Sequence, residues 1–247
     1  MKDKSPVGYP KEISAKDRHH VRRMINSVRK FVESDTEECY CIQPSESIAI
    51  SCSAGIDSMC LADILYRVWR ISKRNPVVVL HVNHGLRPKE NPIEHALLQS
   101  FCSERNLSLM ILDGRIEKGT ALQERARNTR YNAIYSAAKK LTISNIFIAH
   151  NKNDSIESII IRTFQGRVTS NAGDMCVFGI RSVSPTYYEG KSYVKLRPLL
   201  SFTRGDIERY MRAMNISWHE DSSNGTDDYL RNYIRHNVMP HTFLGNK

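Results

Sequence analysis

The stretch from Ser47 to Ile64 constrains this chain more tightly than any other, because only one local fold suits its pattern. Ile48, Ala49 and Ile50 centre a short apolar run, Ser53 to Ser58 are small or polar with Ile56 as the exception, and Met59, Leu61, Ala62, Ile64 and Leu65 recur at helical spacing. The reading is strand, tight loop, amphipathic helix. Small residues let the backbone turn sharply and approach a ligand. The free N–H groups and positive dipole end of the following helix suit an anion, phosphate foremost. The same residues also make ordinary strand-to-helix turns, with Asp57 or Ser58 as N-cap. The loop alone does not choose between the two.

The pattern then repeats. Val77 to Val82 is a β-branched run, Ile93 to Arg105 a helix, Leu107 to Leu112 a strand, Leu122 to Leu141 a long helix, Asn145 to His150 a strand and Ser155 to Gln165 a helix. Strands that are apolar almost throughout, separated by helices, predict an α/β fold: a doubly wound, mainly parallel sheet with helices on both faces. Ligands bind such sheets at the C-terminal strand ends. Three polar clusters converge there: Ser53 to Ser58 after the first strand, His81-Val82-Asn83-His84-Gly85-Leu86-Arg87 after the second, and His150 to Glu157 after the fourth.

Asp154 and Glu157 share a helix face and are spaced to hold a cationic group, although first-turn carboxylates also complement the helix dipole with no further role. His84 and His150 read equally well as structural histidines. Arg231 and Arg235 stand one helical turn apart, a cationic pair suited to phosphate. The Gly-, Ser- and Thr-rich segment Arg167 to Asp174 reads as a mobile loop beside the crevice.

Charge points to the partner. With 36 Lys and Arg against 26 Asp and Glu, the net +10 favours a polyanion, nucleic acid first, over an acidic protein surface. Ser14 to Glu33 carries an apolar stripe at Val21, Met24, Ile25, Val28, Phe31 and Val32 opposite a basic face of Lys16, Arg18, Arg22, Arg23, Arg29 and Lys30. That face is read either as an RNA contact or as a solvated surface. The six cysteines form no Cys-x-x-Cys pair and no zinc-finger spacing, as in a reducing compartment. No bilayer-spanning run, signal peptide or transit peptide is expected, so the expected location is cytoplasmic. The expected organisation is a basic extension and helix over 1–45, one domain over 46–240 and a tail over 241–247.

Taken together, these segments resemble the tRNA(Ile)-lysidine synthetase family of PP-loop ATPases. The likeness rests on Ser53 to Ser58, His81 to Arg87, Glu124 to Tyr131, Ala149 to Glu157, Arg197-Pro198-Leu199-Leu200, Glu220 to Asn224 and Arg231 to Arg235, in family order. It implies an ATP-dependent carbon–nitrogen ligase that attaches free lysine to C2 of the wobble cytidine of tRNA(Ile) with a CAU anticodon, through an adenylated cytidine.

It further implies ATP and Mg2+ as cofactors. Ser53, Ala54, Gly55, Ile56, Asp57, Ser58 and His84 would hold phosphates, and Asp57 would also hold the metal. Asp57, Asp154 and Glu157 would be catalytic, the last two binding or deprotonating the lysine. Arg87, Arg125, Arg130, Arg197, Arg231 and Arg235 would contact tRNA or nucleotide. A homodimer fits the same reading, a membrane partner does not, and no C-terminal tRNA-binding domains are expected.

Three positions depart from the family pattern: Ala54 stands in place of Gly, and Asn83 and Asn153 in place of Asp. They sustain an alternative, a weak or inactive PP-loop protein that binds tRNA or nucleotide. A different nucleotide-modifying chemistry, such as thiolation, is disfavoured by the lack of paired cysteine motifs.

Overall fold

The computed structural model describes residues 8–34, 40–72, 77–86, 90–116, 119, 122–165, 179–220 and 230–241. Its strands are β1 (Ile48–Ser51), β2 (Val77–Asn83), β3 (Ser108–Asp113), β4 (Asn145–Ile148), β5 (Val183–Tyr188) and β6 (Lys191–Leu196). They form one six-stranded sheet in the order β3-β2-β1-β4-β6-β5. All pairings are parallel except the β5–β6 hairpin at the edge. β1 is central, with Ile48 in register with Val77 on one side and Asn145 on the other.

The helices are α1 (Ala15–Glu33), α2 (Ile56–Ile71), α3 (Asn91–Arg105), α4 (Leu122–Lys140), α5 (Lys152–Phe164), α6 (Arg204–Ala213) and α7 (Leu230–Tyr233), the last continuing as a π turn over Ile234–Val238. Strand side chains alternate between two cores. Ile48 and Ile50 of β1 and Phe147 of β4 face the core built with α1, α2, α3 and α6. Ala49, Ile146 and Ile148 face the other, where α4 contributes Ile134, Tyr135 and Ala138. The doubly wound α/β sheet expected from the apolar runs is therefore the one observed.

Two local readings need correction. The N-cap of α2 is Gly55, with no side-chain hydrogen bond, rather than Asp57 or Ser58; both lie inside the first turn. The β5–β6 hairpin falls on residues where the sequence pattern predicts no strand. It turns at Glu189 and Gly190, consecutive residues with φ of 43° and 78°, the geometry of a tight hairpin turn. Pro185 is tolerated because β5 lies at the edge.

The stripe on α1 is buried: Val21, Met24, Val28 and Val32 are fully enclosed against α2 and α6. A polar knot ties the same layer. Asp63 of α2, fully buried, accepts from Arg67 Nε at 2.6 Å, Arg105 Nε at 3.1 Å and Tyr210 Oη at 2.7 Å. Cys52, Cys60 and Cys102 are buried free thiols. Among the described residues no helix is long and apolar enough to cross a membrane.

Candidate functional site

β1 ends at Ser51 and the chain turns through Cys52–Gly55 into α2. Ser58 closes the loop on itself: its Oγ donates to the Gly55 carbonyl at 2.8 Å and accepts from the Ser53 N–H at 3.1 Å. Ala54 sits at φ 63° with its methyl fully buried, and its carbonyl accepts from the His219 N–H at 3.0 Å. The absence of a side-chain cap on α2 leaves its N-terminal dipole directed at the crevice.

Asp57 is the carboxylate of this loop. Its Oδ1 accepts from Asn151 Nδ2 at 3.0 Å and its Oδ2 from Arg204 Nη1 at 2.7 Å. Burial nevertheless raises its proton affinity above that of an ordinary aspartate, with Arg204 as the main opposing influence and Asp154 adding to the rise. Its negative charge is thus incompletely compensated within the chain.

The two amides at family aspartate positions act as hydrogen-bond acceptors. Asn83 Oδ1 accepts from the Gly85 N–H at 2.8 Å and from Asn91 Nδ2 at 2.9 Å. Asn153 Oδ1 accepts from the Arg204 N–H at 3.0 Å, at the start of α6. An amide oxygen fills these positions as a carboxylate oxygen would. His84, beside Asn83, has Nδ1 3.0 Å from the Gly114 carbonyl.

Asn151 and Asp154 form a reciprocal capping box at the start of α5, so Asp154 does serve the helix end. Glu157 is a different case. It is 1% exposed and bracketed by cations of the chain itself: Arg235 Nε lies at 2.9 Å, Arg235 Nη2 at 3.1 Å and Arg231 Nε at 3.3 Å. Glu157 is therefore taken up by arginine, whereas Asp154, 3.7 Å from Arg235 Nη2, keeps a place in the crevice lining. Arg231 and Arg235 both pair with Glu157 while Arg235 lines the crevice and Arg231 the basin beside it.

His150 Nδ1 accepts from Arg197 Nε at 3.0 Å. Burial, reinforced by Arg197, Arg130, Arg231 and Arg127, lowers its pKa to about 3. The ring is neutral near pH 7, and with Nδ1 accepting, Nε2 carries the proton. Arg197 is itself buried and fixed by the Arg181 carbonyl at 2.9 Å and Ser184 Oγ at 3.0 Å.

These groups line a crevice of about 880 Å³ that includes Ser53, Asp57, His84, Arg130, His150, Asp154, Arg204 and Arg235, a volume normal for a ligand cleft. An adjoining basin of about 270 Å³ shares His150 and is walled by Arg127, Arg162, Arg181, Arg197 and Arg231. Arg125 is exposed on α4 outside both linings. Arg87, the segment from Arg167 to Asp174, and Asp221 to Asn224 lie outside the described residues. Arg204, Asn151, Arg162 and Arg181 were not among the site residues expected from sequence. Only Arg204 carried a usable signal, as the first residue of a helix that starts with Thr203 and Asp206 in capping-box spacing.

A PP-loop domain matches residues 20–242. The chain belongs to the PP-loop family. Among curated relatives, the tRNA(Ile)-lysidine synthase of Borrelia garinii subsp. bavariensis is 34% identical over 203 residues, 78% of this chain and 42% of that protein. The tRNA(Ile)-lysidine synthases of Treponema denticola and Staphylococcus aureus are 30% and 32% identical, over 78% and 79% of this chain and 41% and 44% of theirs. The chain thus spans less than half the length of these relatives.

Solved structures share the α/β fold. The U34-tRNA thiolase NcsA of Methanococcus maripaludis aligns with a TM-score of 0.63 at 13% identity, covering 90% of this chain and 76% of that one. FMN adenylyltransferase of Candida glabrata aligns with a TM-score of 0.51 at 16% identity, covering 84% and 62%. At such identities the likeness concerns the fold alone.

Proposed function

We propose that this PP-loop protein is an ATP-dependent carbon–nitrogen ligase that joins lysine to C2 of the wobble cytidine in tRNA(Ile) bearing a CAU anticodon. The observation that carries the reading is the convergence of the uncapped α2 start, Asp57, Asp154 and the neutral His150 on one crevice. In the first step the cytosine O2 attacks the α-phosphorus of ATP and the bond to pyrophosphate breaks. In the second the lysine amine attacks C2, the C2–O bond breaks, AMP leaves and the amine gives up its proton.

The loop Ser53 to Ser58 takes the phosphates on backbone N–H groups and stabilises the charge that develops during transfer. Asp57 is the residue that would hold Mg2+, which supplies charge neutralisation on phosphate oxygens; its undercompensated carboxylate fits that ion. Asp154 takes the lysine ammonium and its proton. Glu157 positions Arg231 and Arg235, and the neutral His150 donates a hydrogen bond from Nε2. The basin of Arg127, Arg162, Arg181 and Arg197 takes the tRNA backbone, and residues 46–240 make up the ligase unit. On this reading the protein works in the cytoplasm, where its tRNA is.

The test is incorporation of radiolabelled lysine into unmodified tRNA(Ile) in the presence of ATP and Mg2+, with Asp57→Ala as control. Label that enters with the unchanged chain and not with the variant is the expected result. Absence of label alongside retained ATP and tRNA binding would instead support a binding protein, the reading that Asn83 and Asn153 sustain.

A further inference from the structure

One constellation of donors in the crevice plays no part in the chemistry above. Glu90 and Glu94 lie one turn apart at the start of α3, and the segment 216–220 runs opposite, pinned where the His219 N–H meets the Ala54 carbonyl at 3.0 Å. The His219 ring sits between the two carboxylates, with Nδ1 3.3 Å from Glu94 Oε1 and Nε2 3.9 Å from Glu90 Oε2. One donor atom from each of the three residues falls within 4.8 Å of the others.

A cluster of this kind is common on protein surfaces and by itself assigns nothing. The deciding observation is His81, on β2 behind it. His81 is 3% exposed, and its Nδ1 lies 3.0 Å from the Cys52 carbonyl, so that nitrogen carries the proton. Nε2 is then a bare lone pair. It is fully enclosed, has no hydrogen-bond partner, and lies 3.8 Å from Glu94 Oε2. A buried lone pair facing a carboxylate oxygen is unfavourable unless a proton or a metal ion lies between them, and burial disfavours the protonated ring.

We propose that Glu90, Glu94 and His219, with His81 behind them, bind one divalent transition-metal ion of the zinc type. Two carboxylates balance its charge, and imidazole nitrogen with carboxylate oxygen is the donor set such ions favour over Mg2+ or Ca2+. Bonds of roughly 2.0–2.2 Å in a tetrahedron space the donors about 3.4 Å apart. One ion takes a single His219 nitrogen: Nδ1, 3.3 Å from Glu94 Oε1, is already at that spacing, and Glu90 swings in from the Nε2 side. His81 Nε2, 3.8 Å from the other Glu94 oxygen, stands outside the three-residue cluster and joins it only by rotation of the Glu94 carboxylate. Bound there, the ion clamps the start of α3 to the 216–220 segment across the Ser53–Ser58 loop and holds one wall of the crevice. The inference goes beyond the ligase reading and stands without it.

The test treats the full chain with chelator, removes the chelator, and titrates with Co2+ and then Zn2+. The expected result is one equivalent of Co2+ with the visible absorption of a low-coordinate site and no thiolate-to-metal charge transfer, displaced by Zn2+. His219→Asn and Glu94→Gln should each weaken uptake by at least about tenfold, while Asp57→Asn, which removes the ligase, leaves it unchanged. Nitrogen NMR of the unsubstituted chain gives a measurement independent of any variant: the His81 Nε2 signal shifts on adding Zn2+. No saturable uptake, uptake unchanged in His219→Asn, a thiolate signature, or an unmoved His81 signal would each overturn the proposal.

Discussion

Arg204 reaches across the crevice from the start of α6 and sets its Nη1 2.7 Å from Oδ2 of Asp57. It is the strongest influence holding down the proton affinity that burial raises. Substitution by Gln removes it, so the Asp57 pKa climbs further and ionisation needs a higher pH. The acidic limb of the rate–pH profile for pyrophosphate release should therefore move upward, by an amount tempered by the partial exposure of Arg204. An unmoved limb in Arg204→Gln would separate Asp57 ionisation from the rate.

Asp63 holds two guanidinium groups and a phenol with no exposure of its own. Asp63→Asn leaves Arg67 and Arg105 without their anion and should cost about 3–5 kcal/mol, a fall in melting temperature of about 10 °C or more. Tyr210→Phe removes one neutral partner and should cost about 1 kcal/mol. Thermal unfolding of the two variants measures the difference.

His150 gives a pH dependence of stability with a definite sign. Its pKa falls from the ordinary 6.5 to about 3 on folding, so below pH 6.5 the unfolded chain binds the proton that the folded chain refuses. Stability from this residue is complete above pH 6.5, declines as the pH falls, and is exhausted near pH 3, a span worth up to about 5 kcal/mol. His150→Gln keeps an acceptor for Arg197 and should flatten the acid limb in denaturant titrations run at a series of pH values.

Ala54 occupies a left-handed backbone at φ 63° where glycine is free of strain. Replacing it by Gly relieves roughly 1–2 kcal/mol of strain against about 0.8 kcal/mol for the buried methyl, so the melting temperature should rise by about 1–3 °C. A fall would mean that packing of the methyl outweighs the strain.

Sequence pattern alone located β1 to β4 and α2 to α5, because short apolar runs alternate there with stretches of helical spacing. β5 and β6 escaped because an edge hairpin needs no such run. Its residues, Tyr187 and Ser192 among them, belong to no element predicted from the sequence. The loop, His84, His150 and Asp154 were legible from their position after strands. The link from Asp57 to Arg204 was not, since it joins residues 147 apart along the chain and no periodicity carries that distance. Nor could spacing reveal that Arg231 and Arg235 would turn inward to Glu157; it fixes which residues share a face, not what that face meets.

The helix α1, whose outer face carries Lys16, Arg18, Arg22 and Arg29, is locked along its inner edge: Arg23 grips Asp206 at 2.8 Å and Arg209 grips Asp17 at 2.8 Å. In mechanical terms it is a beam bolted to the frame, and the offset between its row of positive charge and the crevice is a fixed length. A polyanion that touches both must match that ruler, so its own bend, and not its base sequence alone, decides whether it fits.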